Sequence, residues 1–363
     1  MKKRILFIMH MPPPVHGAAM VGQYIHDSEL INTTFDCHYI NLTTAKNLQD
    51  IGKGGVLKIW KFIKLLTSII ITIFNVRPQL VYLTPNAGGG AFYKDFIVVQ
   101  MVKAMGCKVV VHYHNKGVKT REDKGLDNFL YLRFFKQLKV ILLSELLYDD
   151  VKKYVNKEDI YICPNGIPYD FNSSKERQNT IPHILMVSNL LIDKGILILL
   201  DALTELKREG YKFICDFVGG ETSDIDKERL KSETQARDLD GIAIYHGKKY
   251  GKEKEDMYEM ADIFTLPSFD EAFPLVNIEA MSHTLPIVST NVGGIPSEVI
   301  NGYNGLICET RDSKSLASCI KQLLDSPALR KEMGDNGYKK FKTEFTLEAF
   351  EKRMAEILDS CTK

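Results

Sequence analysis

Residues 163–188 read CPNGIPYDFNSSKERQNTIPHILMVS. The stretch opens as a turn cluster, Pro164-Asn165-Gly166-Ile167-Pro168, and continues as a polar segment over 169–182 rich in Ser and Asn. It ends in a short apolar run behind a proline, the pattern of a buried strand. A loop of that composition followed by a fresh strand reads as a linker between two domains. At about 150 residues per domain, two domains are also the expectation for 363 residues.

What flanks the linker sets the class. Upstream, apolar runs at 4–10, 36–40, 80–84, 108–114, 139–143 and 160–163 alternate with helix-length segments. Downstream the alternation restarts, with runs at 183–188, 212–218, 241–246, 262–266, 286–289 and 306–308, and three helices follow Arg311. Continuous apolar runs separated by helices predict parallel sheets covered on both faces. The chain is therefore expected to be α/β, two doubly wound, Rossmann-like domains with a cleft between them. The expected boundaries are 1–168 and 169–344, with the last helix, 345–363, packing back on the first domain.

Composition narrows the function. With 45% hydrophobic and 26% charged residues the chain is ordinary globular material. Seven scattered cysteines without a CxxC pair read as reduced thiols of a cytoplasmic protein. The start, MKKRILFIMHMPPP, is too short in its apolar part for a signal peptide and reads as a first strand. The most apolar later stretch, 65–76, is shorter than the roughly 18 residues a spanning helix needs. The net charge of +1 hides an asymmetry. Through Cys163 there are 22 Lys/Arg against 13 Asp/Glu, and beyond it 25 against 33. A basic first half suits an anionic partner, a phosphate or a lipid surface. Nothing in the pattern points to nucleic acid.

In open α/β sheets ligands bind beyond the carboxyl ends of the strands, so the residues following each strand are the candidates. After the first comes HMPPPVHGAAM, a stiff loop in which Gly17 allows close approach at a helix start. No GxGxxG is present, which disfavours a dinucleotide dehydrogenase. After the third come Asn86 and three glycines from Gly88, leaving backbone open. The run VVVHYH carries His112 and His114 on one face, with His114 at the carboxyl end. Two histidines without neighbouring acids or cysteines make no metal site. In the second half, Asn189 is followed by Lys194 before Gly195, a lysine at a helix start able to reach a phosphate. Gly219 and Gly220, before Glu221, permit close backbone approach.

The last candidate is DEAFPLVNIEA, 270–280. Pro274 suits the first turn of a helix, which would leave the amides of Leu275, Val276 and Asn277 open. Glu271 would stand just before the helix and Glu279 inside it. Eight helical steps would leave the two acids about 80° and 12 Å apart, a ruler for an extended ligand rather than a proton-sharing pair. A carboxylate among Val276, Ile278, Ala280 and Met281 needs a partner, and a hydroxyl-rich ligand is the expected one.

These residues resemble the E-x7-E region of glycosyltransferase family 4, retaining enzymes of the GT-B fold that use nucleotide-activated sugars. The resemblance extends to CPNGI at 163–167, Lys194-Gly195, VGGE at 218–221, HYHN at 112–115 and the Gly17 loop. It implies that Glu271 holds donor-sugar hydroxyls near the anomeric carbon, that Phe273 to Val276 present backbone to sugar and phosphate, and that Glu279 binds the ribose. It further implies that Lys194 binds the diphosphate, that Gly17 approaches it, that His114 sits beside the transferred sugar, and that the base rests near Gly219 and the His246–Lys248 turn. Asn86, Gly88 and His112 would face the acceptor. Many relatives carry an arginine where this chain has Asn189. No DxD motif is suitably placed, since Asp149-Asp150 reads as helix surface, so the reaction is expected to be metal-independent. The donor would be a nucleoside-diphosphate sugar and the acceptor a saccharide or polyprenyl-diphosphate-linked saccharide, in polysaccharide biosynthesis. The competing expectations are a GT-B nucleotide-sugar 2-epimerase and a non-catalytic sugar-nucleotide binding protein. Finally, 55–74 places Lys58, Lys61 and Lys64 at helical spacing beside Trp60, the only tryptophan. That pattern fits peripheral contact with the cytoplasmic face of the inner membrane.

Overall fold

The computed structural model describes residues 2–43, 56–169 and 179–363. They form two compact units, Met1–Gly166 with Leu347–Lys363, and Ile167–Thr346.

The first unit alternates β1 (Arg4–Met9), α1 (Gly17–Asp27), α2 (Glu29–Thr34), β2 (Asp36–Asn41), α3 (Val56–Val76), β3 (Leu80–Leu83), α4 (Gly89–Ala104), β4 (Val109–His112), α5 (Gly125–Phe134), β5 (Lys139–Leu142), α6 (Tyr148–Val151) and β6 (Ile160–Ile162). The strands lie in the order β2-β1-β3-β4-β5-β6, all parallel. β1, β3 and β4 are buried almost throughout, which is why they read as unbroken apolar runs. The C-terminal helix Leu347–Thr362 closes this unit with Phe350, Met354 and Leu358 wholly buried, and Lys3 Nζ reaches Asp359 Oδ1 at 2.6 Å.

The second unit runs β7 (His183–Val187), α7 (Ile196–Arg208), β8 (Ile214–Val218), α8 (Lys227–Ala236), β9 (Ala243–Tyr245), α9 (Gly251–Met260), β10 (Ile263–Leu266), α10 (Leu275–Ser282), β11 (Ile287–Thr290), α11 (Ile295–Glu298), β12 (Gly305–Cys308), α12 (Ser313–Asp325) and α13 (Pro327–Glu344). Its order is β12-β11-β10-β7-β8-β9, again all parallel. Counted within the unit this is the dinucleotide-fold order 3-2-1-4-5-6. The first unit instead follows the flavodoxin-like order 2-1-3-4-5, with one more strand at its edge. The two doubly wound sheets are thus of different kinds.

The chain passes between units two residues away from each expected boundary. The Ile167 N–H donates to the Phe345 carbonyl at 3.0 Å, and Ile167 pairs with Thr346 in a parallel bridge. Those contacts draw Ile167 and Pro168 into the second unit. The turn cluster is not loose, because Asn165, Gly166 and Ile167 are buried. The polar part of the expected linker, 170–178, lies outside the described residues.

Candidate functional site

In the second unit the strand order reverses between β7 and β10, so ligands are expected beyond the carboxyl ends of these two strands. The loops there are latched together. Ser268 Oγ and the Phe269 N–H both donate to the Asp193 carbonyl, at 3.0 and 2.7 Å. Gly195 has φ +80°, and a Cβ there would stand 2.1 Å from the Pro267 carbonyl oxygen. Only glycine lets the loops meet this closely. The result is an ion pair across them, Lys194 Nζ to Glu271 Oε1 at 2.5 Å, with both side chains mostly buried.

A third loop fixes Glu271 from the other side. Gly293 has φ +55°, a Cβ there would lie 1.8 Å from the Glu271 carbonyl oxygen, and the Gly294 N–H donates to the Ala272 carbonyl at 2.7 Å. Gly293→Ala therefore meets both a left-handed backbone and a collision with main chain. It is expected to lower stability by about 3 kcal/mol and to misplace Glu271, read as a lower melting temperature. An unchanged melting temperature would remove this loop from the account.

α10 begins one residue later than expected. Pro274 is its N-cap, extended at φ −74° and ψ 118°, and Leu275 is the first helical residue. The Asn277 N–H turns back to the Pro274 carbonyl at 3.1 Å. Two amides, of Leu275 and Val276, form the open end rather than three. Phe273 is buried and stacks edge-on against Phe345, so its backbone, not its ring, is what the loop presents.

The setting of Glu279 corrects the sequence reading. Its carboxylate is satisfied within the protein, by Lys254 Nζ at 2.6 Å and the Tyr258 hydroxyl at 2.8 Å, so no ligand is needed to explain it. Lys254 and Tyr258 sit four apart on one face of α9, a spacing visible in the sequence but with nothing to connect it to α10. A second acid went unnoticed. Glu298 in α11 is wholly buried and accepts from Asn277 Nδ2 at 2.9 Å.

The remaining donor candidates are tied into the loops of the second unit. Asn189 Oδ1 accepts from the Gly220 N–H at 3.2 Å, and the Leu190 N–H donates to the Gly220 carbonyl at 2.8 Å, so Asn189 ties the β7 loop to the β8 loop. Glu221 Oε2 accepts from the N–H of Lys227, the first residue of α8. Gly219 is engaged through both backbone groups, with Gly247 and the Tyr245 hydroxyl. His246 turns inward, with Nε2 at 2.7 Å from the buried Asp216, which also meets His183.

In the first unit the order reverses between β1 and β3. Gly17 is exposed at the start of α1, where His16 caps the helix by accepting from the Ala19 N–H at 3.3 Å. His114 lies just beyond β4 with both ring nitrogens buried and no partner among the described residues. Desolvation, and then the charge of His16, push its pKa down to about 3, so the ring is neutral. Its loop is held by Asp150, which accepts from the amides of Gly117, Val118 and Lys119. Asp150 is thus a positioning group rather than bare helix surface.

The acceptor-side reading is corrected in part. His112 is completely buried, 2.7 Å from the Tyr82 hydroxyl, with its ring tilted against the His114 ring at 4.1 Å. It backs His114 and has no surface for a ligand. Asn86 gives its amide groups to Asp95 and its carbonyl to Asn115. Gly88 is the N-cap of α4, beside Arg121. Among the described residues no three His, Cys, Asp or Glu side chains gather as a metal site.

Known proteins match both the fold and the motif region. The family model for glycosyl transferases group 1 matches residues 170–340. The capsular polysaccharide biosynthesis glycosyltransferase CapM of Staphylococcus aureus is 25% identical over 310 residues, covering 78% of this chain and 77% of that protein. The amylovoran biosynthesis glycosyltransferase AmsK of Erwinia amylovora is 26% identical over 268 residues, 71% of this chain and 65% of that protein. Among solved structures, sucrose-phosphate synthase from Thermosynechococcus elongatus superposes with TM-score 0.76 at 17% identity over 99% of both chains. HepE of Anabaena, solved with UDP-glucose, gives 0.73 at 16% over 98% of this chain and 99% of that one. Residues 170–340 of this chain thus match the group 1 glycosyl transferases, and the whole chain has the GT-B fold.

Proposed function

We propose that the protein is a retaining, family 4-type hexosyltransferase. It moves a sugar from a nucleoside diphosphate to a hydroxyl of a saccharide or lipid-linked saccharide during polysaccharide assembly. The observation that carries this is the Lys194–Glu271 pair, set beside the open amides of α10 where the β7–β10 order reverses. The ammonium and the Leu275 and Val276 amides make a cationic end for a diphosphate. Glu271 offers oxygens to sugar hydroxyls at the same place. Glu279, oriented by Lys254 and Tyr258, offers one more acceptor four residues into the helix.

In the reaction the glycosyl–oxygen bond to the diphosphate breaks as the acceptor oxygen bonds to the same face of the anomeric carbon. The departing phosphate takes the acceptor's proton. Lys194 and the helix amides stabilise the charge that develops on the leaving group, a fixed electrostatic contribution that calls for no metal. The names of CapM and AmsK support a polysaccharide setting, and the sugar nucleotide in HepE supports the donor class.

A thermal-shift series with UDP-, GDP- and dTDP-sugars tests the reading. One of them at about a hundred times its Kd should stabilise the protein by about 2.7 kcal/mol, and Lys194→Ala should abolish the shift. No shift with any of the three sinks the donor assignment.

A further inference from the structure

Helix α3 is apolar on both sides. Leu65, Ile69 and Ile73 are buried against the first unit, while Trp60, Ile63, Ile71 and Phe74 on the opposite side are 59, 49, 54 and 68% exposed. Trp60, Ile63, Lys64, Thr67 and Ile71 line an open groove of about 420 Å³ along this outer side. A surface helix normally turns a polar face outward, so an apolar outer stripe marks an interaction site.

Two further observations say what covers it. The crossovers carrying α3, α4 and α5 all step the same way across the sheet, so right-handed connection puts the three helices on one face. Of the 17 exposed large apolar side chains among the described residues, nine fall on these helices, including Leu126, Phe129 and Leu132 of α5, which shows a concentrated patch rather than scatter. The charges on the three helices are one-sided. They contain Lys58, Lys61, Lys64, Lys94, Lys103 and Arg133 but only two acids, Asp95 and Asp127, and both acids are buried. Asp127 is paired with Arg121 at 2.7 Å.

We propose that this face, centred on the outer side of α3, docks on an anionic lipid bilayer. Its apolar stripe enters the headgroup boundary and the flanking lysines meet lipid phosphates. The sequence reading set the apolar run at 65–76, but the helix that forms is longer, and Ile59–Val76 has the length and hydropathy to cross a membrane. It lies on the bilayer instead. It joins two strands of one sheet, and crossing would strip Leu65, Ile69 and Ile73 from the core. A second copy of the chain is the weaker occupant, because the cores of protein interfaces are depleted in lysine. The inference is independent of the sugar chemistry and its test uses none.

Trp60 is the only tryptophan and reports directly on the contact. The full-length protein is mixed with vesicles of phosphatidylcholine, with or without phosphatidylglycerol. With the anionic vesicles Trp60 emission should shift to the blue, lose accessibility to a soluble quencher, and co-sediment with lipid. Ile63→Ser and Phe74→Ser, both at exposed positions, should each weaken vesicle binding roughly tenfold with an unchanged circular dichroism spectrum. Lys61→Gln and Lys64→Gln should each weaken it roughly fivefold at low salt and much less at high salt. The proposal is overturned by any of three results: unchanged Trp60 emission with anionic vesicles, an equal response to phosphatidylcholine alone, or lipid-free self-association that shields Trp60.

Discussion

Glu271→Gln is expected to bind a nucleoside diphosphate about tenfold more tightly than the unaltered protein while turning over about 10²–10³-fold more slowly. The opposite signs come from one contact. Without donor, the Glu271 carboxylate holds the Lys194 ammonium at 2.5 Å, so it competes with any phosphate that seeks the same cation. Glutamine keeps the size and releases the lysine. It also removes the negative oxygen that would steady the sugar as positive charge builds at its anomeric carbon. Lys194→Ala should lower binding and turnover together, since it leaves Glu271 unpaired beside an incoming anion. Calorimetry with the diphosphate and initial rates with the sugar nucleotide separate the two effects. If both quantities fall in Glu271→Gln, the carboxylate and the phosphate do not share the lysine.

Glu298→Gln is expected to flatten the fall of stability with pH. Burial, helped by the charge of Glu271 and opposed by the Asn277 hydrogen bond, holds the Glu298 carboxyl well above the usual carboxylate range. In the unfolded chain the group ionises near its ordinary value of about 4.3. Above that pH the folded protein binds one proton more than the unfolded chain. Stability therefore drops by about 1.4 kcal/mol per pH unit until the folded pKa is reached. Below pH 4 both states are protonated and the term vanishes. Glutamine never ionises, so the variant should gain on the parent from pH 5 to pH 8, read from urea midpoints at both values. Parallel midpoints would mean that Glu298 is ionised in the folded protein. Because Asn277 stands on α10 between Glu271 and Glu279, the same neutral acid also helps to fix the helix that carries the site.

The alternation of strands and helices was legible because each parallel strand is covered on both faces and must be apolar along its length. Strand order was not, since it depends on which neighbour each strand chooses. That choice made the first sheet flavodoxin-like and the second dinucleotide-like. Lys194 and Glu271 were legible singly, one before a glycine and one before a helix. Their pairing across 77 positions rests on Gly195 and Gly293, whose contacts are made by distant loops. Glu279 misled for the same reason. Its neighbours in sequence are apolar, but the groups that satisfy it come from α9, 25 and 21 residues upstream. The two-residue period predicted that His112 and His114 share a side; β4 ends at His112, but the two rings do lie 4.1 Å apart. Only the β3–β4 pairing shows that Tyr82 occupies the inner one.

The two ends of the second unit are a single hydrogen bond apart, Ile167 N to Phe345 O at 3.0 Å. A segment whose entry and exit coincide behaves as a cassette. Replacing 167–346 with the matching piece of a protein of the same fold takes two adjacent splices and stretches no connection. Such an exchange would carry over a complete six-stranded sheet and leave the hydrogen-bonded sheet of the first unit intact.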